Sequence, residues 1–268
     1  MRVSFINSLP KSGTNMVSKL VELAGMEYSD LGVASTSVLG RHAFAKSLLR
    51  GVLPGAEMVR VGLDTSVCVR KGWVVSAISK LQQGSYATGH LPYSDQLLSI
   101  FTKTGIRVIQ IIRDPRDVLV SWVKYVDKEG WHYAHPMLAG RSHEEQVRFI
   151  LYGGQAPTVY VEGFRSVLRN VDGWLECPNV LVVRYEDLVG PEGGGSRDVQ
   201  KSEIFKIMEF LGLSVNDTNP LADALYGGTH TFRSGQIGGW RDSLGSMADE
   251  VEDVLRSSIT SWGYEIGR

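Results

Sequence analysis

The sequence predicts a three-layer α/β/α fold built on a central, mainly parallel sheet. Three observations carry the prediction. Stretches of strand character alternate with stretches of helical periodicity along most of the chain. One of them, Arg107 to Ile112, is almost continuously apolar and β-branched, which suits a central parallel strand buried on both faces. The turn Leu9-Pro10-Lys11-Ser12-Gly13-Thr14-Asn15-Met16 then joins an apolar strand to a helix, as the βα junctions of such a sheet do. In this architecture functional loops gather at the C-terminal ends of the strands.

Taken in order, residues 2–8 read as a buried strand and 14–24 as a helix ended near Gly25. Residues 41–50 carry an amphipathic helical pattern (Ala43, Phe44, Leu48, Leu49) before the turn signal Pro54-Gly55. Met58 to Asp64 reads as a short strand, 72–82 as a helix, Tyr86 to Pro92 as a strand running into a loop, and 94–103 as a helix. After the strand at 107–112, Pro115 marks a helix start, and helical spacing continues from Val118 to Tyr125. Residues 127–142 read as loop, 143–152 and 158–175 as helices, and Val180 to Tyr185 as a third strong strand. Gly190 to Ser196, with four glycines, reads as a flexible surface loop. A helix at 198–211 stops at Gly212, a Gly-rich irregular stretch covers 227–245, and a helix near 248–261 follows. No internal repeat or linker interrupts this order, so residues 1–268 are expected to form a single domain.

The totals exclude several classes. Hydrophobic residues make up 43% and charged residues 21%, which predicts a packed core rather than disorder. Lys and Arg total 28 against 29 Asp and Glu, so neither nucleic acid nor an anionic membrane surface is an expected partner, and any anion site must be a local cluster. Cys68 and Cys177 are too few for a disulfide scaffold or a Cys-rich metal site. No run is apolar for the length of a bilayer, and the apolar segment around Phe5 is too short for a secretory leader. A reduced, cytoplasmic setting is expected.

The turn at 9–16 looks built for an anion. Its backbone N–H groups converge at a helix N-terminus, which carries partial positive charge, and Lys11 adds a full one. It is not a Walker A loop, because Lys11 precedes Ser12-Gly13-Thr14 instead of following a glycine. Three more stations follow at strand ends or in the irregular C-terminal stretch: His90, Arg113 with Ser121, and Arg233-Ser234-Gly235. Each alone has an ordinary structural reading. The first is a capped βα turn, His90 a structural histidine before Leu-Pro, Arg113 to Asp117 a capped helix start, and Arg233 a surface charge.

Together, and in this order, they resemble the sulfotransferases that use 3′-phosphoadenosine 5′-phosphosulfate (PAPS). That family's P-K-S-G-T-x loop is matched by Pro10 to Asn15, and its R-x-P-x-D-x-x-x-S segment by Arg113, Pro115, Asp117 and Ser121. Its H-L-P segment is matched by His90-Leu91-Pro92 and its strand-end Tyr-Glu-Asp by Tyr185-Glu186-Asp187. Its late R-K-G-x-x-G-x-W-[KR] loop is matched by Arg233, Gly235, Gly238, Trp240 and Arg241. The resemblance runs from residue 2 to about 243. It implies a P-loop NTPase-like fold and transfer of a sulfuryl group from PAPS to a hydroxyl acceptor. Lys11, Ser12, Gly13, Thr14 and Asn15 would hold the 5′-phosphosulfate. Arg113, Ser121, Arg233, Ser234 and Gly235 would hold the 3′-phosphate, and Tyr185 would belong to the cofactor site. His90 would be the general base, and Lys11 would stabilise the leaving oxygen. No essential metal is expected.

Some positions depart from the family. Thr88 stands where a lysine often precedes the catalytic histidine, and Ser234 replaces the lysine of the late loop. Met16 stands where an aromatic often stacks on adenine, so residues near Thr231 and Phe232 are the expected alternative support. The dimerisation motif of animal cytosolic members is not apparent, which leaves the oligomeric state open. Two other readings stay in play: a P-loop kinase using Mg-ATP, and a nucleotide-binding protein without turnover. Trp73, Trp122, Trp131, Trp174 and Trp262 are assigned to packing, and His132, His135 and His143 to a loop rimming the acceptor pocket rather than to a metal. The acceptor itself, a sugar, phenol, alcohol or secondary metabolite, is expected to meet segments 26–56, 64–84 and 127–160.

Overall fold

A computed structural model of the chain describes residues 2–31, 57–227 and 235–267. Its centre is a five-stranded sheet of β1 (Ser4–Ser8), β2 (Glu27–Tyr28), β5 (Ser85–Gly89), β6 (Arg107–Ile112) and β9 (Val180–Arg184), in the order β2-β5-β1-β6-β9. Every pairing in it is parallel. The two central strands carry the most apolar runs because helices cover both of their faces. All of β1 is buried, and β6 is buried from Val108 onward.

Side-chain alternation divides those strands between two apolar layers. Ile6, Ile109, Ile111 and Val183 face one layer, together with α1 (Thr14–Leu23) and residues that later form the helices at Arg197–Leu211 and Asn219–Leu225. Phe5, Ala87, Val108 and Ile112 face the other, where α2 (Lys71–Ile78), α3 (Asp95–Thr104) and α4 (Pro115–Lys128) pack. Next in the chain are α5 (His135–Leu138), α6 (His143–Tyr152) and α7 (Phe164–Leu175). They are followed by α8 (Tyr185–Leu188), α9 (Arg197–Leu211), α10 (Asn219–Leu225), α11 (Trp240–Leu244) and α12 (Ala248–Ser261). The α/β/α layering read from the sequence is therefore the observed one.

Local signals account for many helix ends. Ser94 caps α3 by accepting the Leu97 N–H, and Gly105 ends it in the left-handed region at φ 69°. Ser142 and Glu145 form a reciprocal capping box on α6. Asp114 caps α4, with Pro115 at its first position.

Several sequence expectations are corrected. The segment at 58–64 does not join the main sheet; β3 (Met58–Arg60) pairs antiparallel with β4 (Cys68–Arg70) in a separate two-stranded unit. The helical pattern from 158 starts late, because β8 (Tyr160–Glu162) pairs with β7 (Gly153–Gln155) before α7 begins. Pairing with a neighbouring strand outweighs helix periodicity over such a short run. The 127–142 stretch contains α5, and the irregular 227–245 stretch contains α11. The glycine loop at 190–196 is tied down rather than loose. It forms a 3-10 turn at Pro191–Gly193, the Gly195 N–H donates to Gly190 O at 2.8 Å, and Gly193 O accepts the Ile237 N–H at 3.0 Å. The expected helix at 41–50 lies outside the described residues.

Candidate active site

Along the C-terminal ends of β1, β5, β6 and β9 lies a cavity of about 430 Å³, inside the roughly 300–1,000 Å³ range of small-molecule sites. Lys11, Gly13, Thr14, Asn15, His90, Arg113, Ser121, Tyr185 and Gly235 all line it. Residues up to 224 apart in the chain thus meet in one place. Ser12 does not line the cavity: its Oγ donates to Leu9 O at 2.8 Å and its N–H to the same oxygen at 3.2 Å. It shapes the turn from beneath. Arg233, Ser234, Thr231 and Phe232 lie outside the described residues.

The first loop owes its shape to two left-handed residues. Lys11, at φ 70°, is the only non-glycine with positive φ among the described residues, a conformation that costs on the order of 1 kcal/mol. Gly13, at φ 114°, caps α1, and a Cβ there would come within 2.8 Å of the Tyr185 ring. Glycine is required because the aromatic ring presses against the turn. The Lys11 ammonium lies 4.7 Å from the centroid of Tyr125, a cation–π contact across the cavity.

His90 is placed by a buried polar network. Asn7 on β1 donates to Leu91 O at 3.0 Å and to Gln110 Oε1 at 2.7 Å, and accepts the Leu91 N–H at 2.8 Å. These bonds pin the segment just after His90 to the sheet. The His90 Nδ1 lies 2.9 Å from Ser8 O, which can only accept, so Nδ1 carries the proton and Nε2 keeps its lone pair. Ser8 Oγ, 3.2 Å from the same nitrogen, is also 2.6 Å from Thr14 Oγ1, which links the histidine to the first loop. Burial pushes the His90 pKa below the ordinary histidine value; the Ser8 carbonyl opposes this and Lys11 reinforces it. The ring is a neutral base held at the cavity wall.

The far end is organised by Arg113. Its guanidinium lies 4.2 Å from the Tyr185 ring centroid and donates to Gln236 O at 3.0 Å, with Asp117 Oδ2 at 3.7 Å. Among the described residues its buried Nε meets no hydrogen-bond acceptor, an arrangement that costs free energy. Asp117, one turn on, accepts the Gly238 N–H at 2.8 Å and the Trp240 N–H at 2.9 Å, so it fixes the end of the late loop to α4. The Tyr185 hydroxyl donates to Gly235 O at 2.6 Å, and burial pushes its pKa up to about 12. Glu186 accepts the Asp114 N–H at 2.9 Å and the Tyr264 hydroxyl at 2.8 Å, holding the same corner from below.

Lys124, Tyr125 and Ser243 also line the cavity and belong to no motif read in the sequence, whereas Asp64 and Tyr133 fall in the segments 64–84 and 127–160 expected to meet the acceptor. Trp131, a packing residue by the sequence but within the 127–160 segment expected to meet the acceptor, is 63% exposed and lines the cavity; Trp122 also lines it, but from a buried position against Phe164. His132 lines the cavity, whereas His135 and His143 contact the carbonyls of Val126 and Ser243. Among the described residues no group of three His, Cys, Asp or Glu side chains is placed to hold a metal ion. Likewise, no described helix is long and apolar enough to cross a membrane.

The arrangement has known counterparts. The chain is 33% identical over 128 residues to a 3-alpha-hydroxysteroid sulfotransferase of Cavia porcellus, covering 47% of this chain and 37% of that protein. It is 25% identical over 202 residues to a cytosolic sulfotransferase 13 of Arabidopsis thaliana, covering 63% and 56%. These matched stretches are about a third to a half of the relatives' lengths. Among solved structures, a mouse sulfotransferase complexed with PAP aligns at a TM-score of 0.59 and 17% identity, covering 97% of this chain and 87% of that one. A sulfotransferase from Mycobacterium avium aligns at 0.51 and 14%, covering 100% and 78%. At such identities the structural likeness speaks to the fold, which is theirs. The model of the sulfotransferase domain matches residues 2–226, most of the chain, and the chain therefore belongs to the sulfotransferase domain family.

Proposed function

We propose that this chain transfers a sulfuryl group from PAPS to a hydroxyl of a small-molecule or glycan acceptor. One observation carries the reading: a single cavity is lined by Arg113 and Ser121 and by a neutral, tethered His90 with Lys11 beside it. A nucleotide with anions at both ends of its ribose offers a partner to each of these cationic groups. Arg113 and Ser121 hold the 3′-phosphate, and Arg suits it through bidentate contact with oxygens. By the family resemblance, Arg233, Ser234 and Gly235 of the late loop add to this grip. Lys11, Gly13, Thr14 and Asn15 hold the 5′ end at the N-terminus of α1.

His90 Nε2 takes the proton of the acceptor hydroxyl as that oxygen forms its bond to sulfur. Lys11 offsets the negative charge that grows on the phosphate oxygen as the old sulfur–oxygen bond breaks and 3′,5′-ADP departs. The transfer then resembles in-line phosphoryl transfer, with positioning and charge stabilisation as the protein's contribution. We read residues 1–268 as one such domain, and a cytosolic setting is suggested by the name of the Arabidopsis relative. Met16 lines the cavity beside the anion loop and supplies apolar contact where an aromatic would stack.

The rival reading is a kinase using Mg-ATP. Calorimetry separates the two: tight, metal-independent binding of 3′,5′-ADP is expected, and a preference for Mg-ATP would sink the sulfotransferase reading. Arg113→Ala is expected to weaken 3′,5′-ADP by roughly 1.5–3 kcal/mol, about 10- to 150-fold, the scale of a hydrogen bond to a charged group. Unchanged affinity would remove Arg113 from the site.

A further inference from the structure

The wall of the cavity lined by Leu63, Asp64, Trp131, His132 and Tyr133 has a chemistry that sulfuryl transfer does not call for. Asp64 is 4% exposed yet lines the cavity. Its Oδ2 accepts a hydrogen bond from the Tyr133 hydroxyl, and among the described residues no cation pairs with it. The nearest candidate, Arg60, is committed elsewhere: its Nη2 donates to Glu162 Oε1 at 2.6 Å and its Nε to Gly62 O at 2.9 Å. Glu162 bonds through its N–H to Asp64 O at 2.8 Å and adds negative charge nearby. His132 supplies no cation, since burial holds its pKa at about 4. Burial pushes the Asp64 carboxyl up to about 6, so it is still charged at neutral pH.

Around this carboxylate the rings form a connected wall. Tyr125 meets Trp131 edge-on at 6.3 Å, Trp131 meets His132 at 5.9 Å, and His132 meets Tyr133 at 4.3 Å. The Trp131 indole N–H donates to Glu129 Oε2 at 2.9 Å, which fixes its orientation. One of these rings, Tyr125, already receives a cation, the Lys11 ammonium. A buried, unpaired carboxylate set among aromatic faces favours a cation: the rings attract it through their quadrupoles and the carboxylate regains the counter-charge that burial denies it.

We propose that the acceptor carries an ammonium group, an amino alcohol or aminophenol whose protonated nitrogen lies between Asp64 and the Trp131–Tyr133 rings while its hydroxyl faces His90. This specificity rests on the sulfotransferase reading. The neighbouring cation Lys11 lies over the Tyr125 ring and is read as part of the nucleotide end.

The test compares tyramine with 4-ethylphenol, two phenols of similar shape that differ in the charged nitrogen. Calorimetry is run with and without saturating 3′,5′-ADP, on the wild type and on Asp64→Asn and Trp131→Leu. Tyramine is expected to bind the wild type about tenfold more tightly than 4-ethylphenol. Asp64→Asn is expected to bring the two within about twofold, and Trp131→Leu to reduce the preference several-fold. Trp131 is exposed, so its variant retains the fold and keeps the question open to measurement should Asp64→Asn not fold. Equal binding of the two phenols, a preference that survives both substitutions, or no binding of tyramine would overturn the ammonium site. Failure of 3′,5′-ADP to bind, with the tyramine preference intact, would count against the sulfotransferase reading alone.

Discussion

Replacing His90 with alanine is expected to slow sulfuryl transfer by about 10²–10⁴-fold, the usual contribution of a positioned general base, while 3′,5′-ADP binding is largely retained. The expectation follows from how the ring is held. Ser8 O fixes the tautomer with its proton on Nδ1, so Nε2 offers a lone pair to the cavity. Burial lowers the His90 pKa from its ordinary value of 6.5, with Lys11 acting in the same direction. A lowered pKa in a group that must be unprotonated means the acid limb of kcat/KM falls below pH 6.5, so activity persists into mildly acidic solution. The alanine variant should lose both the rate and that limb. A rate unchanged from wild type in single-turnover assays would take the base role away from His90.

The second large effect is on stability. Arg116 lies 3% exposed beneath the Arg113 turn, and its guanidinium binds three separate parts of the chain. Nε donates to Asp114 Oδ1 at 3.0 Å and Nη2 to Asp114 Oδ2 at 2.8 Å, a bidentate pair, while Nη1 donates to Glu252 on α12. Nη2 also donates to Glu265 O at 3.0 Å, and the group sits 4.1 Å from the Trp240 ring centroid. Arg116→Ala leaves the buried carboxylates of Asp114 and Glu252 without their shared counter-charge. Such a loss costs roughly 3–5 kcal/mol, which for a chain of this size lowers Tm by on the order of 10 °C. Arg116→Lys keeps the charge but not the planar fork, and an intermediate loss is expected. Denaturant unfolding of the alanine variant with a loss below about 1 kcal/mol would show that the carboxylates find other partners.

The two predictions differ in how visible their residues were beforehand. His90 was singled out from the sequence, because a His-Leu-Pro segment lay between two anion-loop patterns in a recognisable order. Arg116 was not. In the sequence it is one charge among four in Arg113-Asp114-Pro115-Arg116-Asp117, which reads as a capped helix start, and in the structure it is the centre of a buried knot. The difference lies in distance along the chain: Arg116 meets a glutamate 136 residues away, a contact with no local signature. Asp117 is similar, since its partners Gly238 and Trp240 are 121 and 123 residues away.

By itself the sequence determined the alternation that builds a parallel sheet, the strand of β6, and the two anion-loop patterns at Pro10–Asn15 and Arg113–Ser121. Each is a contiguous stretch whose shape depends on local turns, strands and helix starts, which short-range residue choice encodes. Tertiary structure alone decided that β3 and β4 leave the main sheet, that Ser12 faces inward, and that Asp64 looks across to Tyr133 from 69 residues away. Those outcomes rest on burial and on pairing between distant segments, and the free energy of both depends on which neighbours the fold brings together.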